Sequence, residues 1–162
     1  MNLLPLLHLC LPFIQAGYCF LFKKNKFDIP YIWFNYLIIL HWTFLNGECI
    51  LGYYHKKSEN PNYIAGEDCL KNDFHIEYKE YSFYMYLLSF LFNFFIMINT
   101  YIILKRNNYS VWFSLTFIII YETYFYGCFL FENHNKNKPY LFFQEITKYL
   151  LLLWAFLFIV YS

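Results

Sequence analysis

Apolar residues fall along this chain in five long runs, at 2–22, 29–53, 82–104, 110–131 and 140–161, and one polar stretch, 54–81, parts the second run from the third. About 20 apolar residues are enough to carry a helix across a bilayer, and each run meets that length. The pattern predicts an all-α fold: a polytopic integral membrane helical bundle with about five transmembrane helices, one transmembrane domain over residues 1–162. The 54–81 stretch is too short to hold a core of its own. It reads as an extramembrane loop with one short interfacial helix near its end.

The first run is followed by Lys23, Lys24 and Lys26 and preceded by no Lys or Arg. A cleaved signal peptide carries its charge the other way round, so a retained helix with its N-terminus outside is expected. Pro12 sits mid-run and predicts a kink. The second run opens at Pro30, a residue suited to a first helical turn. Its other end allows two readings. The helix stops at Asn46 with Gly47 as its C-terminal cap, which leaves Glu48 at the interface; or it continues to Tyr53, which puts His41 and Glu48 two turns apart on one face. In the third run Ser82, Tyr86, Ser89, Asn93 and Thr100 share a helical face, the arrangement by which small and hydrogen-bonding residues pack membrane helices. Glu122 lies within the fourth run. Pro139 opens the fifth, which carries Glu145 and Lys148.

Composition moves the picture in the same direction. Hydrophobic residues make up 60% of the chain and charged ones 14%. A soluble domain carries nearly twice that charge, so lipid is the expected solvent and the bilayer the expected partner. The net charge of +1 and the lack of a basic face exclude a nucleic-acid partner. A membrane protein or a second copy of the chain is the other expected partner. Lys23, Lys24, Lys26, Lys105 and Arg106 share one side in two short links. That side is therefore assigned to the cytoplasm. The sequon at Asn108 falls there too and is expected to stay unmodified.

Ionisable groups in membrane segments are costly and each needs a reason. The outer halves of the second, fourth and fifth runs hold His41, Asn46, Glu48, Glu122, Glu145 and Lys148, the candidate ligand-binding set. Reflection through the turn near Lys136 brings Glu122 level with Lys148 and predicts an ion pair. No catalytic residue is assigned. No metal is expected, because H-E-x-x-H and E-x-x-H are absent, and no cofactor is expected. Of five cysteines, Cys49 and Cys69 map to the outer side, where an oxidising lumen would let them pair. Cys10 and Cys19 are expected reduced and buried. No C-x-x-C, nucleotide-binding P-loop, G-x-S-x-G elbow or potassium-channel filter occurs, and no internal repeat supports a transporter architecture.

The stretch from His41 and Trp42 through Asn46, Gly47, Glu48 and Cys49, followed by Tyr54-His55-Lys56-Lys57 and 62–66, resembles a segment of uncharacterised small polytopic membrane proteins of large DNA viruses of protists. It covers about 25 residues, roughly a sixth of the chain. The resemblance implies a viral origin, with a viral envelope or host internal membrane as the location, and no assigned activity. Two classes of function stay open. One is a non-enzymatic envelope or host-membrane component whose buried polar groups serve packing. The other is a small transporter, channel or membrane-embedded enzyme using the outer polar cluster. A pocket joining His41, Glu48 and Glu122 would mark the second.

Overall fold

The computed structural model describes residues 4–67, 82–130 and 136–161. Six helices lie among them: α1 Leu4–Leu21, α2 Asp28–Phe44, α3 Ile50–Glu59, α4 Ser82–Arg106, α5 Val111–Leu130 and α6 Lys138–Tyr161. No strand occurs among the described residues, so the all-α expectation holds. At 1.5 Å per residue the five longer helices measure about 26–37 Å. α4 packs against α1 on one flank and α5 on the other, α5 pairs with α6, and α2 lies against α4 and α6. The short α3 packs against α1.

Helix ends follow from local chemistry. α4 closes in a Schellman motif: Asn108 takes the left-handed conformation (φ 64°), its N–H donates to Lys105 O at 3.1 Å, and the Tyr109 N–H donates to Leu104 O at 2.9 Å. α2 ends in a related way. Asn46 (φ 52°) and Gly47 (φ 85°) turn the chain, and the Gly47 N–H reaches back to Trp42 O at 2.8 Å. The shorter of the two readings of the second run therefore holds, with the left-handed cap position taken by Asn46 instead of Gly47. Residues 50–59, split in the sequence reading between that run and the loop, form α3. The interfacial helix expected late in the loop falls among 68–81, outside the described residues. Asn137 opens α6: its Oδ1 accepts the Tyr140 N–H at 3.1 Å, and Pro139 occupies the first turn, where a missing N–H costs nothing.

The core is a slab of aromatic rings between α2, α5 and α6. Trp154 stacks on Phe158 with centroids 4.9 Å apart, and Phe117 lies 4.9 Å from Trp154. Polar groups on these rings reach backbone carbonyls: Trp154 Nε1 donates to Phe113 O at 3.1 Å and Tyr36 Oη to Leu151 O at 3.3 Å. Gly127 lets α5 approach α6. A Cβ there would stand 2.5 Å from the Phe143 ring.

Polarity is distributed in reverse along the long helices. Gln15, Asn35, Thr43, Asn93, Asn99, Thr100, Ser114, Gln144 and Thr147 are buried, whereas Phe142, Leu152, Phe156, Ile159, Trp112 and Ile119 are more than half exposed. Asn93 and Thr100 thus sit on the inward face expected of the third run. On length and composition alone, one helix among the described residues, α6, qualifies as a membrane span, and α1 carries a shorter apolar helical stretch, Cys10–Leu21.

Candidate functional site

The turn after α2 builds the densest polar cluster, a cap over one end of the bundle. Glu48 follows the left-handed pair Asn46-Gly47 and is folded inward, 4% exposed. Its carboxylate accepts from Lys56 Nζ at 2.6 Å, from Tyr63 Oη at 2.8 and 3.0 Å, and from the Gly66 N–H at 3.3 Å. The Lys56 ammonium also lies 5.5 Å from the centre of the Tyr63 ring, and Lys57 Nζ donates to Tyr63 O at 2.9 Å. Acceptors and donors are therefore matched around a buried charge, the condition under which such a charge is tolerated. Asn46 ties the cap to the bundle. Its Nδ2 donates to Ala65 O at 2.9 Å, and its Oδ1 accepts from Gln144 Nε2 at 3.1 Å. Gln144 Nε2 also donates to Thr43 O at 2.6 Å, satisfying one of the last carbonyls of α2.

His41 is used for positioning. Its Nε2 accepts the Ile50 N–H at 3.2 Å and its Nδ1 faces Leu37 O at 3.0 Å. These two partners require the neutral tautomer with the proton on Nδ1. The ring thereby holds the first residue of α3 against the last turns of α2.

The Glu122–Lys148 ion pair expected from depth matching does not form. Lys148 Nζ bonds Glu145 Oε1 at 2.6 Å, one turn back in α6, and lies 5.1 Å from the centre of the Phe44 ring. A partner three residues away in the same helix is reached without bridging two helices, so the local pair wins. Glu122 is half-buried on α5 and makes no hydrogen bond or ion pair among the described residues. No contact of either kind joins His41, Glu48 and Glu122 to one another. The hydrogen bonds and ion pairs of the candidate set are thus divided between the cap and the α6 surface, with Glu122 apart on α5. No group of three His, Cys, Asp or Glu side chains able to hold a metal occurs among the described residues. Cys69 lies outside the described residues, and the pairing expected with Cys49 lies there with it; Cys49 precedes the first turn of α3. Cys19 is half-buried, but Cys10 is exposed, against expectation, because it lies on the outer side of α1.

Two further clusters escaped the sequence reading. At the opposite end from the cap, Asp28 is 1% exposed and bonded by both Nε (2.6 Å, to Oδ2) and Nη2 (to Oδ1) of Arg106. Asn107 Nδ2 donates to Oδ2 at 2.8 Å and Tyr18 Oη to Oδ1 at 3.1 Å, while Arg106 Nη1 donates to Phe22 O at 3.0 Å. Asp28 and Arg106 lie beyond the ends of the apolar runs. Burial alone raises the Asp28 carboxyl pKa. Hydrogen bonds from Arg106 and Asn107 and the guanidinium charge outweigh that and hold it below the ordinary carboxylate range. A signal existed: Arg106 is the chain's sole arginine and Asp28 its only acid before Glu48.

About two turns in from that end, Asn99 of α4 bonds the backbone of α1. Its Oδ1 accepts the Cys19 N–H at 3.1 Å and its Nδ2 donates to Gln15 O at 2.7 Å, the two groups that an ideal helix would join to each other. Gln15 O also accepts from Tyr31 Oη at 2.8 Å, and Gln15 Nε2 donates to Asn35 Oδ1 at 2.7 Å. Three helices are thereby joined through polar groups away from the surface.

Comparison of the chain with protein-family models, with curated proteins and with solved structures finds no match.

Proposed function

We propose that this chain is a polytopic membrane protein, an envelope or host-membrane component without catalytic function, whose buried polar groups hold the bundle together and whose cap offers a surface to a partner. The observation that carries this reading is the reversed polarity of the helices. Amides and hydroxyls face inward, the amides of Gln15, Asn99 and Gln144 bond across helices, and large apolar side chains face outward. Water as solvent would penalise that exposure over so many residues; lipid would not. α6 supports the same reading, since only 33% of its most apolar window is buried, where the core helix of a soluble protein would be mostly covered. The absence of catalysis is supported by the use of the polar groups. His41, Asn46, Glu48, Glu145 and Lys148 are each taken up by a partner within the chain.

Five crossings place the cap and the N-terminus on one side and the Asp28–Arg106 end on the other. The lysines assign the latter to the cytoplasm. The test uses alkaline carbonate extraction together with a membrane-impermeant thiol reagent on intact cells. Lys24 and Ser58, both exposed, are changed singly to Cys in a background lacking native cysteines. The chain should stay in the carbonate pellet and label from outside at 58 only. Release by carbonate would refute the membrane reading; labelling at 24 alone would invert the orientation.

A further inference from the structure

From the arrangement of charge at the Asp28–Arg106 end, we infer that this face binds the anionic headgroups of the bilayer leaflet it meets; the inference rests on the membrane reading above. Arg106 grips Asp28 at the start of α2 and Phe22 O just after α1. One side chain thus gathers the α1–α2 link and the end of α4 at one point. Lys23, Lys24, Lys26 and Lys105 are consequently brought to one end of the bundle, and all four are exposed. The only described acid at that end, Asp28, is buried and already bonded to Arg106, Asn107 and Tyr18. The four ammonium groups therefore have no acidic side chain of their own face to satisfy them.

The surroundings favour a lipid surface over an acidic peptide. Lys105 Nζ lies 5.6 Å from the centre of the Tyr101 ring, on the outward face of α4, and Lys26 Nζ lies 5.3 Å from that of Phe27, which is itself exposed. Lysines laid along exposed rings match the boundary between hydrocarbon and headgroups, where the stem is apolar and the ammonium reaches phosphate. Trp112, 69% exposed in the first turn of α5, occupies the same level. A basic cluster at an anionic surface gains several-fold in affinity and loses it to screening over a Debye length of about 8 Å at physiological salt.

The full chain, reconstituted in phosphatidylcholine bilayers, is titrated with dibrominated phosphatidylserine or dibrominated phosphatidylcholine while tryptophan fluorescence is read. The difference from a Trp112→Phe variant isolates Trp112. Brominated phosphatidylserine should quench Trp112 at a several-fold lower mole fraction than brominated phosphatidylcholine at low salt. Molar salt should bring the two together, as should the combined change Lys23→Gln, Lys24→Gln, Lys26→Gln and Lys105→Gln. That variant leaves Asp28 and Arg106 in place; the salt titration of the unmodified chain decides the matter even if it folds poorly. Equal quenching by the two lipids at low salt would overturn the inference and leave the membrane reading intact. No quenching by either would overturn both.

Discussion

Single residues in this bundle act mostly through backbone groups of another helix. Asn99 meets an N–H and a carbonyl of α1, Gln144 supplies a missing donor at the end of α2, and Trp154 adds a donor to a carbonyl in the first turn of α5. In the membrane proposed for this chain an unpaired N–H or C=O would have no water to turn to, so such contacts would keep an irregular helix end in place. Replacing Asn99 by Leu removes a donor and an acceptor at once. It should cost about 1–2 kcal/mol, seen as a lower melting temperature in detergent. Gly127 makes a contrasting case, governed by space. Gly127→Ala drives a methyl into the Phe143 ring, which already stacks on Tyr124 at 5.8 Å. We expect a loss of about 1–3 kcal/mol that is largely recovered when Phe143 is also shortened to Leu. Equal stability of Gly127→Ala and the unmodified chain would show that the ring moves aside freely.

At the scale of elements, the two ends of the bundle are held by buried ion pairs of different kinds. In the cap, Lys56 and Glu48 belong to α3 and the turn before it, so their pairing fixes α3 to the turn that follows α2. Lys56→Met alone leaves a buried carboxylate and should cost about 3–5 kcal/mol, while the double change with Glu48→Gln should recover much of that. A fully additive double mutant would mean that the two groups do not depend on each other. The Asp28–Arg106 pair joins α2 to α4, and its stabilisation depends on pH in a fixed sense. The carboxyl pKa is lowered on folding, so the contribution is fully present above the unfolded value of about 3.9 and is lost as pH falls through the lower folded value. Melting temperature should therefore hold level from pH 7 to about 5 and fall below about pH 4. Asp28→Asn should start lower and show a shallower fall. An unchanged acid limb in that variant would assign the loss to other carboxyls.

For the molecule as a whole, the number of crossings sets the relation between its ends. On the membrane reading proposed above, five passages would put the start of α1 and the end of α6 on opposite sides, with α3 and its following turn on the side of the former. A reporter fused after α6 should accordingly be active only on the side opposite to one inserted at Asn62, an exposed position in the turn after α3. Activity of both reporters on the same side would remove one crossing and with it the five-helix membrane reading.

The apolar runs by themselves matched α1, α4, α5 and α6 to within two residues at each end, because a long continuous apolar run favours a helix; the second run, 29–53, instead divided into α2 and α3. Pro139, Asn46 and Gly47 marked their ends through backbone preferences that need no tertiary partner. The inward face of Asn93 and Thr100 was legible from helical spacing alone. The partners of the polar groups were not. Glu122 and Lys148 stand level in a straight reflection, yet Lys148 bonds Glu145, because side-chain reach and helix rotation decide pairing where depth does not. Glu48 was legible as an anomaly, but its partner Lys56 becomes one only when the chain folds back into α3, and Tyr63 only when the following turn closes over it. Asp28 and Arg106 lie 78 residues apart, and the Cys19 N–H and Gln15 O of α1 are met by an amide from α4. Contacts of that kind arise from how helices are rotated against one another, a quantity that periodicity along one helix leaves undetermined.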